Sequence, residues 1–250
     1  MTAPIIPGAG PFRAAGDDRG VLVLHGYTSN PLSMRPVADA LAAEGFTVEL
    51  PLLPGHGTAV EDLVPTAFTD WLAAAEAAYA ELDGRCRAVA VVGLSMGGAL
   101  TAWLASEHPE IAGIACLNAI VSPPDGMREA LEEMLASGME VMPAIASDIA
   151  KEGVVESAYP ETPLRPLLTA FDAAADLEGR LGRISCPVLI VTSPQDHVVD
   201  PANGDVLAAA VTGPVERVTA PDSFHVVTLD HDGPTVTAAV VSFCTKVLTP

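Results

Sequence analysis

The chain has 250 residues, of which 50% are hydrophobic, and it sets 32 Asp and Glu against 12 Lys and Arg for a formal net charge of −20. That length buries a sizeable core within one domain, and the hydrophobic share excludes a disordered chain. The charge excludes nucleic acid and anionic lipid headgroups as partners, because both repel an acidic surface.

The first sixteen residues show neither a basic leader nor a continuous apolar stretch, so no export signal is read there. Residues 10–14 offer a short strand. Residues 21–24 (Val-Leu-Val-Leu) are a continuous apolar run of the kind covered on both faces of a sheet. They end at His25-Gly26-Tyr27-Thr28. Residues 34–44 place Val37, Ala38, Leu41 and Ala42 at helical spacing. A strand follows at 46–53, ended by Pro54-Gly55-His56-Gly57, and then a helix at 67–82. Residues 88–106 carry no formal charge and are long enough to span a membrane, but Gly93, Gly97 and Gly98 interrupt them around Ser95. They read as a buried strand, a tight turn and a buried helix. Strands at 113–120, 187–192 and 215–219 and a closing helix at 234–248 complete the pattern.

Repeated βα units predict an α/β fold with a mostly parallel sheet of six to seven strands, flanked by helices on both faces. One interval breaks the rhythm. Residues 122–172 show no strand signal, an amphipathic segment at 127–136, and interspersed Pro143, Pro160, Pro163, Met134, Met139 and Met142. We read this stretch as a small cap inserted over the carboxyl ends of the strands, with 1–121 and 173–250 as the core. The cysteines Cys86, Cys116, Cys186 and Cys244 are scattered without a C-x-x-C pair. Buried thiols at Cys116 and Cys186, a reducing cytoplasmic compartment and no structural zinc are expected.

The most specific chemistry surrounds Ser95. Gly93-Leu94-Ser95-Met96-Gly97 is G-x-S-x-G between a strand and a glycine-led helix, where the serine hydroxyl projects from a turn too tight for flanking side chains. A serine hydroxyl needs a base, and the base needs an orienting acid. In this fold class the order along the chain is Ser, acid, His. Asp196 directly follows the strand at 187–192, and His225 lies in the loop after the strand at 215–219. Ser95, Asp196 and His225 satisfy order and placement together, with Asp200 the alternative acid and His231 the alternative base. Asp200 otherwise suits a cap for the helix near Pro201. Two backbone donors, the N–H groups of Met96 and of Tyr27 in the His25-Gly26-Tyr27-Thr28 loop, are placed to hold an oxyanion.

Further stretches carry a resemblance. H-G-Y-T-S-N-P-L-S-M-R-P at 25–36, L-P-G-H-G-T at 53–58, G-L-S-M-G-G at 93–98, Q-D-H-V-V at 195–199 and S-F-H-V-V-T-L-D-H-D at 223–232 closely resemble the small bacterial monoacylglycerol lipases and their carboxylesterase relatives, within the α/β-hydrolase superfamily. The resemblance implies the same triad and the same oxyanion donors. I-A-S-D-I at 145–149 and E-S-A-Y-P-E-T-P at 156–163 resemble the family's cap, which implies that Ile145 and Glu156 help form the pocket for the alcohol part of the ester. Residues 123–142 and Ser193-Pro194 depart from the family pattern. The expected activity is hydrolysis of a small-molecule carboxylic ester, with a monoacylglycerol as the expected substrate, through an acyl-enzyme, with no cofactor, metal or stable membrane insertion. Acyl transfer to another acceptor and a non-catalytic binding protein on the same fold are the competing readings. An Asp nucleophile, as in halide- or epoxide-processing relatives, is absent from the turn.

Overall fold

A computed structural model describes residues 3–145 and 147–249. The strands are β1 (Phe12–Ala14), β2 (Arg19–Leu24), β3 (Thr47–Leu50), β4 (Ala88–Leu94), β5 (Gly113–Leu117), β6 (Val141–Pro143), β7 (Glu161–Pro163), β8 (Val188–Thr192) and β9 (Val215–Thr219). The helices are α1 (Arg35–Ala43), α2 (Val60–Leu63), α3 (Phe68–Asp83), α4 (Met96–Glu107), α5 (Met127–Ala136), α6 (Leu164–Glu178), α7 (Asn203–Ala210) and α8 (Gly233–Leu248). Seven strands form one sheet in the order β1-β3-β2-β4-β5-β8-β9, parallel except for the edge strand β1.

The continuous apolar runs are explained by burial on both faces. In β4, Val89 and Val91 point into a cluster with Leu100 and Leu104 of α4 and Ala75 and Leu82 of α3. The alternate residues Ala90, Val92 and Leu94 meet Val37 and Leu41 of α1 and Val236 and Val240 of α8. β2, β5 and β8 divide their side chains in the same way. Each fully buried aliphatic side chain stabilises this arrangement by about 1.5–3 kcal/mol.

The strand order reverses between β2 and β4. From β2 the chain moves outward to β3, then returns to place β4 on the other side of β2, with Leu24 opposite Gly93. The loops leaving β2 and β4 therefore lie side by side at the carboxyl edge, where open α/β sheets bind ligands.

Two expected strands end early. The strand expected over 46–53 ends at Leu50, because Pro51 has no N–H to continue the ladder. The strand expected over 113–120 ends at Leu117, because Asn118 turns to φ 41°. The interval 122–172 also differs from expectation. It contains a two-stranded antiparallel ribbon of β6 and β7, three residues each, with prolines in both strands. So short and proline-bounded a pair leaves no alternating pattern to read. Residue 172 falls inside α6, whose Ala170, Ala173 and Leu177 join the main core. Leu131, Leu164 and Phe171 form a small separate cluster beneath α5. Among the described residues, no helix is long and apolar enough to cross a membrane.

Candidate active site

Ser95 occupies φ 58°, ψ −119°, a sparsely populated conformation held by its surroundings. Its N–H donates to the Leu117 carbonyl at 2.9 Å, and its own carbonyl accepts the N–H of Gly98 at 2.9 Å and of Ala99 at 3.2 Å. The flanking glycines are obligatory. A Cβ at position 93 would lie 2.0 Å from the Gly97 carbonyl oxygen, and one at 97 would lie 2.3 Å from the Leu24 carbonyl oxygen. The turn brings β2, β4 and the start of α4 too close together for any side chain.

His225 and Asp196 are in contact. His225 Nδ1 lies 2.7 Å from Asp196 Oδ2, and both side chains are almost wholly buried. With a carboxylate facing Nδ1, that nitrogen carries the proton and Nε2 keeps a free lone pair. Asp196 Oδ1 accepts the N–H groups of Val198 and Val199, both at 2.8 Å, so the buried carboxylate has fixed partners on both oxygens. Asp200 accepts the Ala202 N–H at 2.9 Å in the turn before α7; the N-cap of that helix is Ala202, so Asp200 does not take the helix-capping place expected for it. His231 lies in an open cleft with Ala150, Gln195, Asp222 and Phe224.

The loop after β2 runs against the nucleophile: a Cβ on Gly26 would stand 3.8 Å from Ser95 Oγ. Among the described residues, the N–H groups of Tyr27 and Met96 donate to no protein acceptor, although both residues border the turn. The loop is stiffened from below. His25 Nδ1 donates to the Gly26 carbonyl at 3.0 Å, and Nε2 accepts the Leu53 N–H at 3.2 Å. Both bonds demand the same neutral tautomer. Burial pushes His25 down to about 4. His56 stacks edge-on against His25, Tyr27 and Trp71, and burial, helped by His25, takes it down to about 3. Its Nδ1 meets the Pro54 carbonyl at 3.0 Å, while Nε2 has no partner among the described residues. The Tyr27 phenol donates to the Pro163 carbonyl at 2.6 Å, tying this loop to β7, and burial raises its pKa.

Glu156 enters the same region. Ser29 Oγ, in the loop after β2, donates to Glu156 Oε1 at 2.5 Å. Burial raises the carboxyl, while the Ser29 hydrogen bond and the charge of nearby His225 oppose that rise. Neighbouring residues fasten this stretch: Asn30 Nδ2 donates to the Ser157 carbonyl, Tyr159 N–H donates to the Thr28 carbonyl at 3.0 Å, and the Tyr159 hydroxyl donates to the Gly55 carbonyl at 2.9 Å. Ile145, expected beside the pocket, is 63% exposed.

Three polar residues around the site were not singled out by the sequence. Asn118 donates from Nδ2 to the His225 carbonyl at 2.8 Å and accepts the Ser193 N–H on Oδ1 at 2.8 Å. Asp148 accepts the N–H groups of His197 and His225. Asp230 accepts those of Ala150, Lys151, Phe224 and His231. Each lay beside or inside a stretch already noted, but a hydrogen bond to a distant backbone leaves no mark in a sequence.

A serine on a strained strand-to-helix turn, with a buried His–Asp pair on later loops of a mostly parallel sheet, defines an α/β-hydrolase. The chain belongs to the family described as serine aminopeptidase, S33, whose model matches residues 17–232. It is 42% identical over 247 residues to a thermostable monoacylglycerol lipase of Bacillus sp. (strain H-257), covering 97% of each chain. It is 28% identical to a carboxylesterase of Bacillus subtilis (strain 168), covering 94% of this chain and 96% of the other. A solved structure reported for the metagenome-derived lipolytic enzymes LipS and LipT superposes with a TM-score of 0.93 at 39% identity, covering 97% of this chain and all of that one. The protein is a carboxylic ester hydrolase.

Proposed function

We propose that Ser95 is the nucleophile, His225 the general base and Asp196 its orienting acid, and that the natural substrate is a monoacylglycerol. His225 Nε2 takes the Ser95 proton as Oγ attacks the ester carbonyl. The tetrahedral oxyanion is held by the N–H groups of Tyr27 and Met96, which have no other acceptor among the described residues. The imidazolium returns its proton to the departing alkoxide, leaving an acyl-enzyme and a free alcohol. Water, deprotonated by His225, then releases the fatty acid.

The observation that carries the alcohol preference is Glu156. A carboxyl bound to Ser29 and electrostatically coupled to His225 stands on the side of the site formed by the loop after β2. Among the described residues its second oxygen has no hydrogen-bond partner, and in this reading it accepts a glycerol hydroxyl. The similarity to the Bacillus monoacylglycerol lipase supports the same assignment. Residues 122–172 act as a cap in this reading, because their stretch 147–163 binds loops at the carboxyl edge of the sheet. The free thiols at Cys86, Cys116, Cys186 and Cys244 favour a cytoplasmic setting.

The test is a comparison of monoacylglycerols with nitrophenyl esters of matched acyl length, together with mass mapping of a covalent phosphonate. A single adduct on the Ser95 peptide and higher kcat/KM on the glycerol ester are expected. An adduct elsewhere removes the nucleophile assignment, and equal kcat/KM removes the glycerol preference.

A further inference from the structure

We propose that Asp148 is a positioning residue for the base, holding His225 in register from the segment between β6 and β7. The inference rests on the triad reading above. Asp148 Oδ2 accepts the backbone N–H of His225 at 3.0 Å and that of His197 at 3.1 Å. Oδ1 takes the Nδ1–H of His197 at 2.8 Å, and the Asp148 carbonyl accepts the Val226 N–H at 3.1 Å. The side chain is only 9% exposed.

These bonds join three separate parts of the chain. His225 lies on the loop after β9, and His197 directly follows Asp196 on the loop after β8. Asp148 belongs to neither. One carboxylate therefore sets the backbone position of the base and of the residue next to the acid. The His197 ring packs edge-on to Phe224 at 4.5 Å, closing the clamp on the base loop from outside. The 2.7 Å bond between Asp196 and His225 requires both loops to be in place at once. A displacement of about 1 Å at a reacting group costs on the order of 100-fold in rate. The location of Asp148 makes seating of the 147–163 segment and alignment of the base one event.

Among the described residues, the hydrogen bonds of Asp148 go to the loops of the base and the acid and not to Ser95, so its loss is expected to act on kcat. Asp148→Ala leaves two backbone donors without their acceptor, and kcat is expected to fall about 10–100-fold on both monoacylglycerol and nitrophenyl ester, with KM changed less than about 2-fold. Asp148→Asn keeps an oxygen for both N–H groups, and its amide donates to Nδ1 of the other His197 tautomer. It is expected to restore kcat to within about 3-fold of wild type. Asp148→Glu keeps the charge but moves it by one methylene, and is expected to remain impaired by about 10-fold or more. The downfield proton resonance of the His225 Nδ1–H should be sharp in the wild type and in the Asn variant, and broadened by exchange in the Glu and Ala variants.

Wild-type kcat in Asp148→Glu, or an Asn variant as poor as Glu, overturns the proposal even if Asp148→Ala does not fold. So does a loss confined to KM. Ser95→Ala separates the two layers. If it keeps turnover, the triad reading is wrong; if it is inert while Asp148→Glu is normal, the positioning role alone fails.

Discussion

The Asn118 side chain donates to the main-chain carbonyl of His225 at 2.8 Å. Its other end accepts the Ser193 N–H at 2.8 Å, and Nδ2 also reaches Ser193 Oγ at 3.0 Å. Standing just after β5, Asn118 links the loop of the acid to the loop of the base. It does so from φ 41°, which Asn tolerates better than most residues. Asn118→Asp keeps the acceptor but turns the donor into an oxygen facing the His225 carbonyl. A loss in kcat of about 10-fold or more is expected, with KM nearly constant. A variant with normal kcat would restrict Asn118 to a folding role.

Ser95→Ala and His225→Ala should each lower ester hydrolysis on the order of 10³-fold or more, with thermal unfolding nearly unchanged, because members of a triad act as one unit. Asp196→Asn should be severely impaired as well, since an amide facing Nδ1 favours the wrong tautomer of His225. Turnover by Ser95→Ala at a tenth of the wild-type rate would refute the assignment. A normal Asp196→Asn beside a dead Asp200→Asn would move the acid to Asp200.

How much of this was legible follows from the range of each interaction. The turn at Ser95 is local: glycines two residues away on each side record the clash with Leu24 and Gly97. The alternation of βα units is also local, so the sheet and a short strand near residues 10–14 could be read, whereas the antiparallel pairing of that strand at the edge depends on β3 and could not. Asp148 could not. Its partner His225 is 77 residues away, and in a chain with 32 acids one more Asp looks like solvated surface. The β6–β7 ribbon was missed because three residues are too few to show a period. Glu156 came from resemblance alone, and the structure gives it a physical partner in Ser29.

His25 and His56 predict acid sensitivity. In the folded protein burial holds them at about 4 and about 3, whereas an unfolded histidine titrates near 6.5. As pH falls below about 6.5 the unfolded chain binds protons that the folded chain refuses, so stability falls with pH. These two sites together contribute a slope of at most about 2.7 kcal/mol per pH unit, flattening for each group below its folded value. His56→Phe keeps a ring in the aromatic box and should remove about one proton from the uptake on unfolding near pH 5. Unchanged proton uptake, measured from denaturation across pH 4 to 7, would count against a neutral buried His56.

Asp230 fastens the 150–151 stretch to the base loop. Burial alone would raise its carboxyl, but the N–H groups of Phe224, Ala150, His231 and Lys151 outweigh it and hold the group below the ordinary carboxylate value. Its contribution is therefore complete above the unfolded carboxylate pKa, near 3.9, and is lost as pH falls through the lower folded value. Asp230→Ala strands those donors. A loss of about 3 kcal/mol, or about 6–12 °C in Tm, is expected at neutral pH. A shift within about 1 °C would mean that water replaces the carboxylate without cost.

Glu156 supplies the test of substrate class. The acyl chain of a monoacylglycerol requires an apolar channel, whereas the glycerol end requires a few fixed polar groups. Glu156 Oε1 already accepts from Ser29 Oγ, and in the proposed reading Oε2, without a partner among the described residues, accepts the ligand hydroxyl. In Glu156→Ala that hydroxyl is desolvated without a partner, a loss of about 1–3 kcal/mol in kcat/KM, or roughly 10–100-fold. A nitrophenyl ester has no such hydroxyl. Removing the carboxylate also removes a negative charge felt by His225, so any effect through the base would appear on both substrates. The ratio of the two kcat/KM values isolates the glycerol contact from that electrostatic effect. A ratio that falls by about 10-fold or more establishes Glu156 as the glycerol acceptor; an unchanged ratio assigns it to the electrostatics of His225 or to the surface, and leaves an esterase without preference for glycerol.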